Sequence, residues 1–106
     1  MIKKVLLLFF FLCTIATFSQ EKAVNNLMAS PNPFSNTTTI SFDSAQEQGI
    51  ILIVKNVLGK TVFKKGYYTK KGKKEIIFEA RNLKPGMYIY AIQSNNEIIS
   101  KRFVIR

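Results

Sequence analysis

Asn82-Leu83-Lys84-Pro85-Gly86-Met87-Tyr88-Ile89-Tyr90 is the stretch that decides the fold. Pro85 presets φ near about −65° and Gly86 supplies a φ that other residues resist, so the chain reverses here. After the turn, Tyr88, Tyr90 and Ile92 fall on one side of an extended chain, and Met87, Ile89 and Ala91 on the other. A strand apolar on both faces belongs in the middle of a sheet, and the other strands of a small sandwich assemble on it. Leu83 is expected to plug the corner where one sheet passes to the other. Tyr88 is placed to bond its hydroxyl to the turn backbone, as at a tyrosine corner.

Working outward, the same alternation recurs between turns. Ile50-Ile51-Leu52-Ile53-Val54 is a second strand apolar on both faces, to be central or to lend one face to a partner. Asn56-Val57-Leu58-Gly59-Lys60 closes it as a hairpin, with Asn56 as local acceptor and Gly59 at positive φ. Thr61 to Tyr68 returns, Lys70 to Lys74 forms a charged tip, and Glu75 to Glu79 turns Ile76 and Phe78 inward. Glu97 to Ile105 is the last strand, with Ile99, Phe103 and Ile105 on one parity and Ile98 and Val104 on the other. Upstream, Leu27 to Ser30 reads as a short strand and Thr37 to Phe42 as a β-rich one with Ile40 and Phe42 together. Between them Pro31-Asn32-Pro33 locks an extended, turning connector, and Phe34 follows as an apolar peg. Some seven strands at turn spacings near about 10 residues predict an all-β, immunoglobulin-like antiparallel β-sandwich.

The first residues read differently. Met1-Ile2-Lys3-Lys4 is a basic head, Val5 to Ile15 an apolar run, and Thr17 and Ser19 are small residues before Gln20-Glu21. That layout predicts a signal peptide over residues 1–19, a flexible leader over 20–26 and one domain over 27–106. The run is too short to span a bilayer, which takes about 20 residues, so no transmembrane span is expected after cleavage. The single cysteine, Cys13, lies within this segment, so the exported part is expected to carry no disulfide.

Composition narrows the chemistry. The chain has no histidine, and its six carboxylates, Glu21, Asp43, Glu47, Glu75, Glu79 and Glu97, have no acid/base or metal-ligand spacing. No catalytic, cofactor-binding or metal-binding residue is expected, and an enzyme is not. The formal charge is +10, of which Lys3 and Lys4 supply two. Lys60, Lys64, Lys65, Lys70, Lys71, Lys73 and Lys74 crowd one stretch with Tyr67 and Tyr68 among them. Lys64, Lys65, Lys70, Lys71, Lys73 and Lys74 are thus either a solvated hairpin tip or candidates for an anionic surface. Export argues against nucleic acid as that partner.

Four motifs in order carry a resemblance: Pro31-Asn32-Pro33-Phe34 before a threonine-rich strand, Asn56-x-x-Gly59-Lys60, Leu83-x-x-Gly86-x-Tyr88, and Lys101-Arg102-Phe103-Val104-Ile105-Arg106. Together they resemble the type A C-terminal sorting domain of the type IX (Por) secretion system of the Bacteroidetes, over residues 27 to 106. The resemblance implies a secretion and sorting signal rather than a catalyst. It implies passage through the periplasm, recognition by type IX translocon and sortase components, and delivery to the cell surface or the extracellular space. Anionic lipopolysaccharide enters as a further partner that the resemblance implies. Only residues 20–26 separate the signal from this domain, so the expectation is a sorting domain without an evident cargo.

The last hexad is the recognition candidate: Lys101, Arg102 and Arg106 surround Phe103, Val104 and Ile105 on a final strand whose edge another protein can extend. Lysine and arginine guarding an ordinary edge explain the same residues. Pro31, Asn32, Pro33, Phe34, Asn56, Gly59, Lys60, Leu83, Gly86 and Tyr88 are expected to serve mainly the fold. The alternative function is a small secreted basic adhesion domain that binds glycan.

Overall fold

Alternation between turns becomes seven strands in the computed structural model, which describes residues 22–95 and 97–106. The expected signal peptide and Cys13 lie outside the described residues. The strands are β1 (Val24–Ser30), β2 (Thr37–Ser44), β3 (Gln48–Asn56), β4 (Thr61–Thr69), β5 (Gly72–Glu79), β6 (Gly86–Gln93) and β7 (Ile98–Ile105). One sheet runs β1-β2-β5 and the other β4-β3-β6-β7, with every ladder antiparallel. This is the all-β sandwich that the alternation predicts.

Inward-facing residues of the two sheets meet in one core. Ile40, Phe42, Ile76 and Phe78 come from the first sheet, and Leu52, Val54, Tyr90, Ile92 and Phe103 from the second, all buried. Burial of a large side chain of this kind contributes about 1.5 to 3 kcal/mol, so the core alone explains why the pleat is held in register. The opening stretch sits where expected. β5 ends in one sheet, β6 begins in the other, and half-buried Leu83 packs on the core between them.

Boundaries differ most from the sequence expectation in two places. β1 begins at Val24 rather than Leu27, because Val24 is itself buried and pairs with Ser44, so part of the expected leader is strand. β5 begins at Gly72 and takes in Lys73 and Lys74, because Asp43 and Phe42 of β2 pair with them. The charged tip therefore shrinks to Lys70 and Lys71.

Register also sorts the ends. The connections β1–β2, β3–β4 and β5–β6, together with Arg106, lie at one end of the sandwich, here called the carboxy end. The three remaining connections lie at the opposite end. β3 and β6 occupy the two central positions of their sheet, as their two apolar faces require. Their second face is at the surface: Ile51 and Ile53 are half-buried, and Met87 and Ile89 are exposed.

Candidate functional site

The four sequence motifs converge on the carboxy end, although 70 or more residues separate the first from the last. The connector leads there. Its Ser30–Pro31 and Asn32–Pro33 peptide bonds are cis, and Thr38 Oγ1 donates to the Pro31 carbonyl at 2.7 Å. It then runs along the outer edge of β7. The Phe34 amide donates to the Val104 carbonyl at 3.0 Å, and the Arg106 amide donates to the Phe34 carbonyl at 2.8 Å. The Asn32 side chain completes the strip: the Val104 amide donates to its Oδ1 at 3.0 Å, and its Nδ2 donates to the Arg102 carbonyl at 3.3 Å.

β7 is thus the edge strand that the hexad reading requires, but its carboxy half does not present the unpaired amides and carbonyls expected of it. The connector occupies them. What the hexad shows outward is side chain: Lys101, Arg102, Val104 and Arg106 are exposed, whereas Phe103 and Ile105 are buried. Register puts Arg102 on the outer face beside Ile89, with Lys55 on the next strand beyond and Lys101 on the opposite parity.

Beneath this strip lies an aromatic cluster. Phe34 meets Phe103 edge-on at 5.0 Å between ring centroids and Phe78 at 6.4 Å. Phe103 in turn stacks on Tyr90 at 5.0 Å with an interplanar angle of 12°. Edge-on and offset pairs of this kind add about 0.5 to 1.5 kcal/mol beyond their burial. Burial pushes the Tyr90 hydroxyl pKa up from its ordinary value.

The other two motifs are turns held by their own atoms. Tyr88 donates its hydroxyl to the Lys84 carbonyl at 2.6 Å, the bond that the corner reading expects. Gly86 has φ +148°, a conformation that side-chain-bearing residues rarely adopt. At the β3–β4 hairpin, Asn56 Oδ1 accepts from the amides of Leu58 and Lys60, each at 3.0 Å, and Gly59 has φ +85°. Lys60 is exposed.

The six lysines of the basic stretch are not brought together. Register sends Lys64 to the outer face of the second sheet and Lys65 to the inner parity, where its Nζ lies 5.3 Å from the centre of the Tyr67 ring. Lys70 and Lys71 stay in the turn. Lys73 lies 3.5 Å from the Glu75 carboxylate, and Lys74, opposite Phe42, is half-buried. Consecutive lysines on a strand point to opposite faces, so a run in sequence is divided in space.

A groove of about 350 Å³ opens between the edge strands β4 and β5, where Phe63 and Tyr67 face Ile77 and the Glu79–Arg81 ion pair. Among the described residues no group of histidine, cysteine or carboxylate side chains is placed to hold a metal. No helix among them is long and apolar enough to cross a membrane.

A family model described as the secretion system C-terminal sorting domain matches residues 29–106. No curated protein matches. Among solved structures, the chain is similar to a β-glucosidase of Erythrobacter marinus, with TM-score 0.52 and 9% identity over 85% of this chain and 18% of that one. It is also similar to a mutant β-glucosidase of Listeria innocua in complex with laminaribiose, with TM-score 0.42 and 12% identity over 83% and 17% of the two chains. The chain spans less than a fifth of the length of either enzyme, and at this identity the likeness of the first is one of fold alone.

Proposed function

The chain belongs to the secretion system C-terminal sorting domain family, and we propose that its carboxy end is the part of this sorting signal that the export machinery reads. Domains of this family mark proteins for the type IX route to the cell surface or the extracellular space. One observation supports the proposal above the others. Four motifs far apart in sequence fold onto one end, where the connector fixes the final strand and leaves its basic side chains outside.

In this reading the hexad works through Lys101, Arg102 and Arg106 rather than through strand addition. Their charges steer and register a partner with an acidic surface. The aromatic cluster and the two turns hold those charges in place, so the folded shape is part of the message. Passage through the periplasm precedes recognition. The six lysines of the basic stretch form no single face, which weighs against the glycan-binding reading.

Reversing charge at the hexad tests this without removing a core strand. Arg102→Glu with Arg106→Glu, both on exposed positions, is expected to leave the thermal melting transition in place and to abolish delivery outside a type IX-competent host. Undiminished delivery of the folded double variant would overturn the role given to these side chains.

A further inference from the structure

The apex of the β3–β4 hairpin carries two consecutive apolar side chains turned to the solvent. Val57 is 64% exposed and Leu58 89%, the most exposed of the large apolar residues described. This apex is not a loose loop. The Gly59 amide donates to the Asn56 carbonyl at 3.0 Å, the Asn56 amide donates to the Lys60 carbonyl at 2.9 Å, and the Asn56 side chain holds two further amides. A turn needs only Asn56 and Gly59 for this geometry, and its two central positions favour polar residues. Valine and leucine there are unexplained by the fold.

Cations ring the apex. Lys55 and Lys60 flank it in sequence, and Arg102 lies across Ile89 from Lys55. Lys84 and Arg106 are exposed at the same end. Glu79 is the one carboxylate side chain at that end among the described residues, and Arg81 lies 3.3 Å from it. Met87, Ile89 and Val104 continue the apolar surface from the apex along the outer face, each more than a third exposed.

We propose that this apex is a contact point for an anionic lipid surface, with Val57 and Leu58 entering the headgroup boundary and Lys55, Lys60 and Arg102 against lipid phosphates. Apolar groups that dip while flanking cations stay at headgroup level are the pattern that holds a protein on such a surface. Lysine suits it because its stem lies along apolar surface while the ammonium stays in water. A protein interface fits less well. Interface cores are depleted in lysine, and their energetic centres under-use leucine and valine. A second copy fits least, because it would set the same unbalanced cations against each other. The proposal goes beyond the sorting role and is read out with no secretion machinery present.

The test is flotation of the exported chain, its N-terminus verified to follow Ser19, with vesicles of phosphatidylglycerol and phosphatidylethanolamine or of phosphatidylcholine alone. The chain is expected to float with the anionic vesicles, less at high salt, and not with the zwitterionic ones. Leu58→Ser should lower partitioning about tenfold, since full burial of a leucine side chain is worth that much or more. Lys60→Gln should weaken it, while Lys73→Gln, which removes the same charge from the other sheet, should change it little. Both apex residues are exposed, so an unchanged melting temperature confirms that the variants fold. Flotation that ignores Leu58→Ser, or that occurs equally on phosphatidylcholine, would overturn the proposal. So would absence of vesicle binding, with or without self-association sensitive to Leu58 in sedimentation velocity.

Discussion

The Val104 amide donates to Asn32 Oδ1 at 3.0 Å, so a side chain from the first connector replaces a backbone partner on the last strand. Asn32→Ala removes this bond and the one to the Arg102 carbonyl. A loss of about 1 to 2 kcal/mol is expected, at about 1 kcal/mol per bond, since both bonds are exposed and water can take up the freed groups. Urea denaturation monitored by far-UV circular dichroism measures it. The uncovered edge should also raise concentration-dependent association, which sedimentation velocity detects. A variant as stable and as monomeric as the parent would mean that the strip does no structural work.

At the corner, the hydroxyl and the ring of Tyr88 are separable. Tyr88→Phe loses the bond to the Lys84 carbonyl and should cost about 1 kcal/mol, whereas Tyr88→Ala also empties a core position and should cost about 3 to 5 kcal/mol. Gly86→Val places a β-branched residue at φ +148° and should cost at least about 1 to 3 kcal/mol, although no atom beyond its own chain neighbours stands within 4 Å of the added Cβ. Denaturant midpoints rank the three. Equal midpoints for the Phe and Ala variants would contradict the burial of the ring.

Phe103 touches Phe34, Phe78, Tyr88 and Tyr90, so it joins the connector, both sheets and the last strand. Phe103→Ala is expected to cost about 3 to 5 kcal/mol, a large share of the stability of a domain this small. Exposed Ile77→Ala, in the same sheet as Phe78, should cost less than about 1 kcal/mol. Differential scanning calorimetry of the pair checks the contrast.

Alkaline stability follows from Tyr90. Burial raises its pKa in the folded chain, so the folded state holds the proton more tightly than the unfolded one. The stabilisation is present in full below the unfolded value, near about 10, and is lost as pH rises through the folded value. Tyr67 is raised by burial too, so it acts in the same direction. Melting temperature should hold from neutrality to about pH 9 and fall above about pH 10, and Tyr90→Phe should reduce the fall without abolishing it. A Tyr90→Phe profile superimposable on the parent would contradict the assignment.

The strands were legible because period-two patterning is local: Ile40 with Phe42, Ile76 with Phe78, and Phe103 with Ile105 all face inward as their parity requires. The corner was legible for the same reason, since Tyr88 bonds back to the Lys84 carbonyl only four residues away. The strip along β7 was not. Asn32 bonds to Arg102 and Val104, and nothing in the neighbourhood of an asparagine between two prolines names a partner so distant. The lysine stretch left two readings open for a geometric reason. Its crowding is real in sequence, but a strand alternates faces, and only pairing partners reveal which face each lysine takes. Val24 lay in a polar segment, and its burial depends on pairing with Ser44.

The most direct measurement compares how much of the chain reaches the medium and cell surface of a type IX-competent host with the amount delivered by the same host lacking the type IX pore. A sorting signal should be delivered by the first and accumulate inside the second, with the retained chain still folded. Equal delivery by both would contradict the account.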